Sequence, residues 1–300
     1  MINESTIKRL AFVKYLYELA INQSRQQEPL SSASILMFHD SIELFLYIAC
    51  EYKNARNNNP NFLDYWDILN PKLNTELSQK ESMKRLNKSR VSLKHHGTMP
   101  SRIDIEAIRA SVTNFFDENC PIIFEIEFNK ISLINLIECI QTKECLEEAS
   151  SMMINNKYSD AIIQIGLSFQ YLIDDYESKQ HKVYGKSPFF FGQDFTFEDS
   201  FNMHLQEEKL SQFVDKVQES IQSIQSAIKI VSLGIDYRRY IKFRLLTPKV
   251  TKLFSGKYVS DIITNRGELG YSEEDQCKYC INFVIDSALK LQEDVGIPEK

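Results

Sequence analysis

Apolar residues recur along the chain at alternating spacings of three and four, which is the pattern of helices that bury one face. Residues 5–24 place Phe12, Tyr15, Leu16, Leu19 and Ala20 on one such face. Residues 31–57 carry Ile35, Phe38, Ile42, Phe45 and Ala49 in the same way, with Ser31 and Ser32 after Pro29 positioned as an N-cap. An Asn-rich loop (RNNNPNF) ends that helix and a short helical piece follows near 62–69. Residues 79–96 form a further amphipathic helix, stopped by Gly97 and Pro100. Helix is expected again over 103–118, 133–154, 157–178, 205–233 and 273–294. The stripe of 205–233 is Leu210, Phe213, Val214, Val217, Ile221, Ile224 and Ile228. Between these helices, 118–132 is β-branched and holds Pro121, so it reads as an extended connector. The pattern predicts an all-α multi-helix bundle, with an N-terminal half over 1–130 packed against a second helical half over 131–300.

Composition agrees with this class and removes others. Only 9 Gly and 8 Pro in 300 residues are too few for the turns of a sandwich or a doubly wound sheet. A hydrophobic share of 43% is ample for a sizeable core. The six cysteines are irregularly spaced, unlike a secreted disulfide framework. The first twenty residues lack the unbroken apolar run and small-residue cleavage site of a signal peptide. The most apolar stretch, SILMFHDSIELFLYIAC, is interrupted by His39, Asp40 and Glu43, so no membrane association is expected and the cytoplasm is the expected location. Cys277 and Cys280 have the spacing of half a zinc site, but no second pair completes it, and both fall on one stripe with Ile281, Val284, Ala288 and Leu291 as core thiols. No metal and no cofactor are expected. The Phe-rich run from Phe189 to Phe201 reads as packing material. Offset by 127 residues, SILMFHDSIELFLYI aligns with AIIQIGLSFQYLIDD, pairing Ser41 with Ser168, a weak hint of duplication.

The net charge of −6 conceals two basic segments. From Lys80 to Lys94 six basic residues, among them Lys84, Lys88 and Lys94, face Glu81 alone. Between Gly234 and Lys257 seven basic residues, including Arg238, Arg239, Lys242 and Arg244, face Asp236 alone and interleave with Tyr237, Tyr240 and Phe243. Basic and stacking groups together suit single-stranded nucleic acid, so these residues are the candidate RNA-binding set.

The informative position is Arg90. Met83, Leu86, Arg90 and Leu93 follow one another at spacings of three, four and three, which puts a guanidinium where a hydrophobe is expected. Burial of a group that cannot lose its proton calls for an acidic partner or an anionic ligand. Glu43, on the flank of the 31–57 stripe, is the candidate partner, with Asp40 the second choice.

His95 and His96 follow Arg90 by five and six residues. Both spacings resemble the R-x4-6-H motif of the HEPN superfamily, small helical domains found in bacterial toxins and antiviral ribonucleases. The resemblance covers residues 5–118 and implies metal-independent RNA cleavage. Either His95 or His96 would take a proton from a ribose 2′-hydroxyl, and Arg90 would stabilise charge on the attacked phosphate, oriented by Glu43 or Asp40. It further implies a homodimer with motifs face to face, RNA (tRNA included) as substrate, and an antitoxin or defence-system partner protein. On an ideal helix five residues rotate about 140° and six about 240°, so neither His shares the face of Arg90 unless the helix frays or tightens before Gly97, or two chains combine. Val91 stands where active relatives often carry Asn or Asp, and the alternative is a catalytically silent HEPN-like module that binds RNA, a nucleotide or a protein.

Overall fold

A helix that is apolar nearly all round must be surrounded by others, and the stretch Ser34–Tyr52 is such a helix. In the computed structural model, which describes residues 2–55, 60–185, 187, 189, 208–252, 258–260 and 272–293, it lies against four other helices of its unit. The chain divides into two compact units, Met1–Leu136 and Ile137–Lys300, where the sequence pattern placed the break after 130. The described residues are helical throughout except for turns and one short two-stranded ribbon.

The first unit contains α1 (Glu4–Ser24), α2 (Ser34–Tyr52), α3 (Asp64–Leu69), α4 (Lys80–His96) and α5 (Arg102–Phe124). The α2 residues predicted to be inside, Ile35, Phe38, Ile42, Phe45 and Ala49, are all fully buried. Phe45 meets Phe115, Phe116 and Phe124 of α5 edge-on, with ring centroids 5.4–5.6 Å apart. Ser31 and Ser32 do not cap α2. They lie buried in a 3-10 turn, Leu30–Ala33, and Ser34 donates its hydroxyl to the Ser31 carbonyl at 2.7 Å. The span Leu30–Tyr52 is long and apolar enough to cross a membrane, but 61% of its most apolar window is buried inside the protein.

The buried face of α1 is Leu10, Ala11, Val13 and Ala20, while Phe12 is 45% exposed. Small residues on the inner face let α1 approach α2, and Tyr17 carries the aromatic contact instead, edge-on to Phe116 and Phe128. Lys14 then ties α1 to the chain beyond α5 by donating to the carbonyls of Asn129 and Ile131 at 2.8 and 2.6 Å. Burial lowers the pKa of this ammonium against the opposing pull of Glu18. Pro121 does not make 118–132 an extended connector: α5 runs through it to Phe124. Phe115, Phe116, Asn119, Cys120, Ile123 and Phe124 continue one buried face across the proline, and their burial outweighs the helix hydrogen bond that proline cannot donate.

The loop between α3 and α4 is held by a buried polar relay. Trp66 Nε1 donates to the Ser78 carbonyl at 3.0 Å, Ser78 N donates to Asn119 Oδ1 at 2.9 Å, and Asn119 Nδ2 donates to the Phe115 carbonyl at 2.8 Å. Asn119 is therefore a satisfied buried amide that locks the start of α4 to α5.

The second unit contains α6 (Ile140–Ile154), α7 (Tyr158–Tyr184), α8 (Glu208–Ser232), α9 (Tyr237–Leu246), the antiparallel pair β1 (Val250–Lys252) and β2 (Tyr258–Ser260), and α10 (Glu273–Glu293). Like the first, it opens on a helical hairpin, here α6 and α7. The aligned serines play the same part: Ser41 donates to the Phe38 carbonyl and Ser168 to the Ile165 carbonyl, each fully buried. Cys277 and Cys280 are buried on α10 as expected of core thiols. The predicted inner stripe of α8 is mostly exposed, Phe213 and Ile224 to 64% and 58%, with Val214 and Ile221 half-buried. That helix is anchored at its C-terminal end, through buried Ile230 and the bond from Lys229 to Glu177 of α7. Burial would raise the Glu177 carboxyl, but the bonds from Lys229 and Ser187 outweigh it and hold the pKa below the usual range. The Phe-rich run beyond Phe189, the side chain of Leu210, and Lys257 lie outside the described residues.

Replacing Phe45 by Ala should destabilise the protein by about 3–5 kcal/mol, read as a lower urea midpoint with an unchanged denaturant slope. Burial pushes the thiols of Cys50 and Cys120 up to about 11 and about 12. Neither should react with an alkylating reagent at pH 8 until the chain is unfolded, as peptide mapping would read directly.

Candidate functional site

Helix α4 positions the basic motif. It begins after Gln79, whose φ of 66° turns the chain into the helix, and Lys80 Nζ contacts Asp67 at 2.6 Å. Met83 and Leu86 are fully buried and hold one face of α4 in the core. The stripe continues to Leu93 as predicted, but Arg90 is only half-buried.

Gly97 ends the helix. Its φ of +64° is left-handed, its N–H donates to the Leu93 carbonyl and Thr98 N donates to the Ser92 carbonyl, each at 3.2 Å. The next helix starts at once, from a capping box in which Ser101 and Asp104 exchange hydrogen bonds at 3.2 Å. His95 and His96 are thereby fixed, exposed, in the last turn of a regular α-helix. Lys94, His95 and His96 sit at the negative end of the helix dipole, which favours cations. The helix neither frays nor tightens before Gly97, so the two histidines stay off the face of Arg90 within one chain.

The expected pair between Arg90 and Glu43 is not formed. Arg90, Lys88, Lys94, His95 and His96 make no side-chain hydrogen bond or ion pair among the described residues, and Lys84 has only a 3.7 Å contact with Glu81. The half exposure of Arg90 removes the need for a buried acidic partner. Glu43 and Asp40 turn instead towards His39, whose Nδ1 lies 3.8 Å from Glu43 Oε2 and 3.6 Å from Asp40 Oδ1. The sequence reading places His39 beside Glu43 and as an interruption of an apolar run, without a role of its own. The readable signal was His-Asp-x-x-Glu at i, i+1 and i+4, which puts three ligating groups on one edge of a helix.

The second basic segment divides. Arg238 is exposed at the start of α9 and Arg244 is half-buried near its end. Arg239, by contrast, is bound to Asp286 of α10 at 2.6 Å, and its guanidinium sits 6.0 Å above the Phe283 ring. Burial would lower the Arg239 pKa, and the Asp286 bond overrides it and raises it. Lys242 Nζ lies 4.2 Å over the Tyr279 ring. Phe243 stacks on Phe283 at 4.6 Å and meets Phe169 at 5.1 Å, so this aromatic ring is core and not a surface platform. Tyr237, beside Arg238, is the aromatic of this segment that is exposed, at 40%.

A concavity of about 610 Å³ in the first unit is lined by Ile7, Leu10, Glu125, Glu127, Lys130 and Asn135 among others. None of the basic motif residues borders it, and Lys94, His95 and His96 are exposed at the end of α4. Comparison with known protein families, known proteins and solved structures returns no match.

Two substitutions separate structural from free cations. Arg239→Ala should lower stability by roughly 0.5–1 kcal/mol, because the pair with Asp286 is half-exposed, whereas Arg238→Ala should be neutral within error. Thermal melts of the two variants beside wild type measure the difference. Gly97→Ala meets no atom within 4 Å, so its expected cost of about 1 kcal/mol comes from the left-handed backbone alone.

Proposed function

We propose that the protein is a metal-independent endoribonuclease of the toxin or phage-defence kind, acting through Arg90 and one of His95 and His96. The observation that carries this reading is a half-buried guanidinium without a carboxylate partner, one turn before two exposed imidazoles on the same basic helix. Unpaired, Arg90 keeps its full capacity for a phosphate, and Lys84, Lys88 and Lys94 add a field that attracts the RNA backbone. A neutral imidazole removes the 2′-hydroxyl proton, the oxygen attacks the adjacent phosphorus, and the 5′-oxygen leaves with a proton from a second imidazole or water. Arg90 stabilises the charge on the phosphoryl oxygens as it builds.

Helix geometry supports a homodimer for this chemistry. Five residues along a regular helix separate Arg90 and His95 by about 7.5 Å and 140°, so their side chains diverge. A second copy facing the first brings the Arg90 of one chain to the histidines of the other. Arg238 and Arg244 are the remaining candidates for RNA contact in the second unit, and Arg239 and Lys242 serve α10 first. A silent RNA-binding module is the second reading, favoured by Val91, which lies 38% exposed beside Arg90 and offers no hydrogen bond.

The test is RNA cleavage with complementation. Wild-type protein should cut tRNA in the presence of a chelator, and Arg90→Ala and His95→Ala/His96→Ala should each lose at least about 100-fold. Mixing the two dead variants should restore about a quarter of wild-type activity, because half the dimers are mixed and one of their two sites is intact. RNA binding without cleavage by any form would establish the silent reading. Cleavage that the Arg90→Ala variant retains would exclude the site.

A further inference from the structure

The polar edge of α2 carries a group that the RNA-cleaving site does not use. His39 is 2% exposed, and neither ring nitrogen has a hydrogen-bond partner. Either tautomer of an imidazole carries one N–H donor and one acceptor nitrogen, and leaving both buried and unmatched is unfavourable. Its ring is fixed in place by stacking on Phe62, with centroids 4.2 Å apart and planes 27° from parallel. The open side of the ring meets two carboxylates, at 3.6 Å from Asp40 and 3.8 Å from Glu43. All three donor atoms lie within 4.8 Å of one another.

We infer that His39, Asp40 and Glu43 form a binding site for a divalent first-row transition-metal ion, with Zn²⁺ held more tightly than Mn²⁺. Neighbouring ligands around an ion at about 2.1 Å are about 3.0–3.4 Å apart, so the His39 contacts need to close by a few tenths of an ångström and the two carboxylates by up to about 1.8 Å. Asp40 and Glu43 are 63% and 44% exposed and can make that adjustment by rotation, while His39 is the fixed point. One imidazole and two carboxylates suit Zn²⁺, Fe²⁺ or Mn²⁺ better than Mg²⁺ or Ca²⁺, which prefer oxygen alone. Three protein donors leave at least one coordination position for water or an anion, the arrangement of an open rather than a closed site. The ion would satisfy a His39 nitrogen and neutralise two adjacent carboxylates on an otherwise apolar helix. The site is independent of the Arg90 reading, since neither Arg90 nor either α4 histidine belongs to it.

Co²⁺ is the probe, added to the metal-stripped full chain. One equivalent should bind with visible d–d absorption and without the near-ultraviolet thiolate charge-transfer band that any cysteine site would give, and Zn²⁺ should displace it. Asp40→Asn and Glu43→Gln alter exposed side chains, so their folding is secure, and each should weaken binding by at least about 10-fold. His39→Gln should weaken it by at least about 100-fold, and Arg90→Ala should leave it unchanged. Absence of stoichiometric binding, a thiolate band, or wild-type affinity in Asp40→Asn and Glu43→Gln would each overturn the inference. RNA cleavage in chelator is read separately, so loss of one result leaves the other standing.

Discussion

The burial of α2 on nearly every side is the constraint on which the first unit depends. Its aromatic contact with α5 through Phe45 sets the core, and α1, α3 and α4 are placed by packing round the same helix. A helix enclosed this way has one narrow outer edge, and polar groups on it are confined to a known line. That edge carries Asp40 and Glu43, with His39 just inside it. The same enclosure buries Met83 and Leu86 of α4 and so turns the remaining faces of α4, with its lysines and histidines, to solvent.

Two chemistries thus sit on neighbouring helices of one unit and are kept apart. Helix α4 gathers cations around a single carboxylate, Glu81 in its first turn, and leaves Arg90 free of a carboxylate for holding a phosphate. Helix α2 gathers an imidazole with carboxylates, the requirement for holding a metal ion. Sequence spacing suggested that the two sets meet through Arg90 and Glu43. The structure separates them: Arg90 is half-buried without a pair to Glu43, and Glu43 faces His39.

Periodicity is a good guide to the buried face of α2, α4 and α10, and it misleads in α8, whose strongly apolar stripe is mostly exposed. It misleads also where the competing faces are alike. In α1 the large residues Phe12 and Tyr15 mark the wrong face: of the predicted stripe only Ala20 is fully buried, beside Leu10, Ala11 and Val13. Pro121 was overweighted: a local breaker loses to a buried face that continues on both sides of it. The basic segment of α9 looked uniform in sequence, yet Arg239 is committed to Asp286, 47 residues away, a partner that no local pattern reveals. For the candidate site, the motif helix, its stop at Gly97 and the half-apolar position of Arg90 were legible. The isolation of His39 was not, since an unmatched buried nitrogen is a property of what surrounds it.

The chemical identity of the RNA ends is the most direct test of the central claim. Attack by a 2′-hydroxyl under Arg90 and histidine control leaves a 2′,3′-cyclic phosphate on one fragment and a free 5′-hydroxyl on the other, in chelator as well as without it. Fragments with a 3′-hydroxyl and a 5′-phosphate, formed only when a divalent ion is supplied, would contradict the claim and assign the cleavage to a metal-activated water.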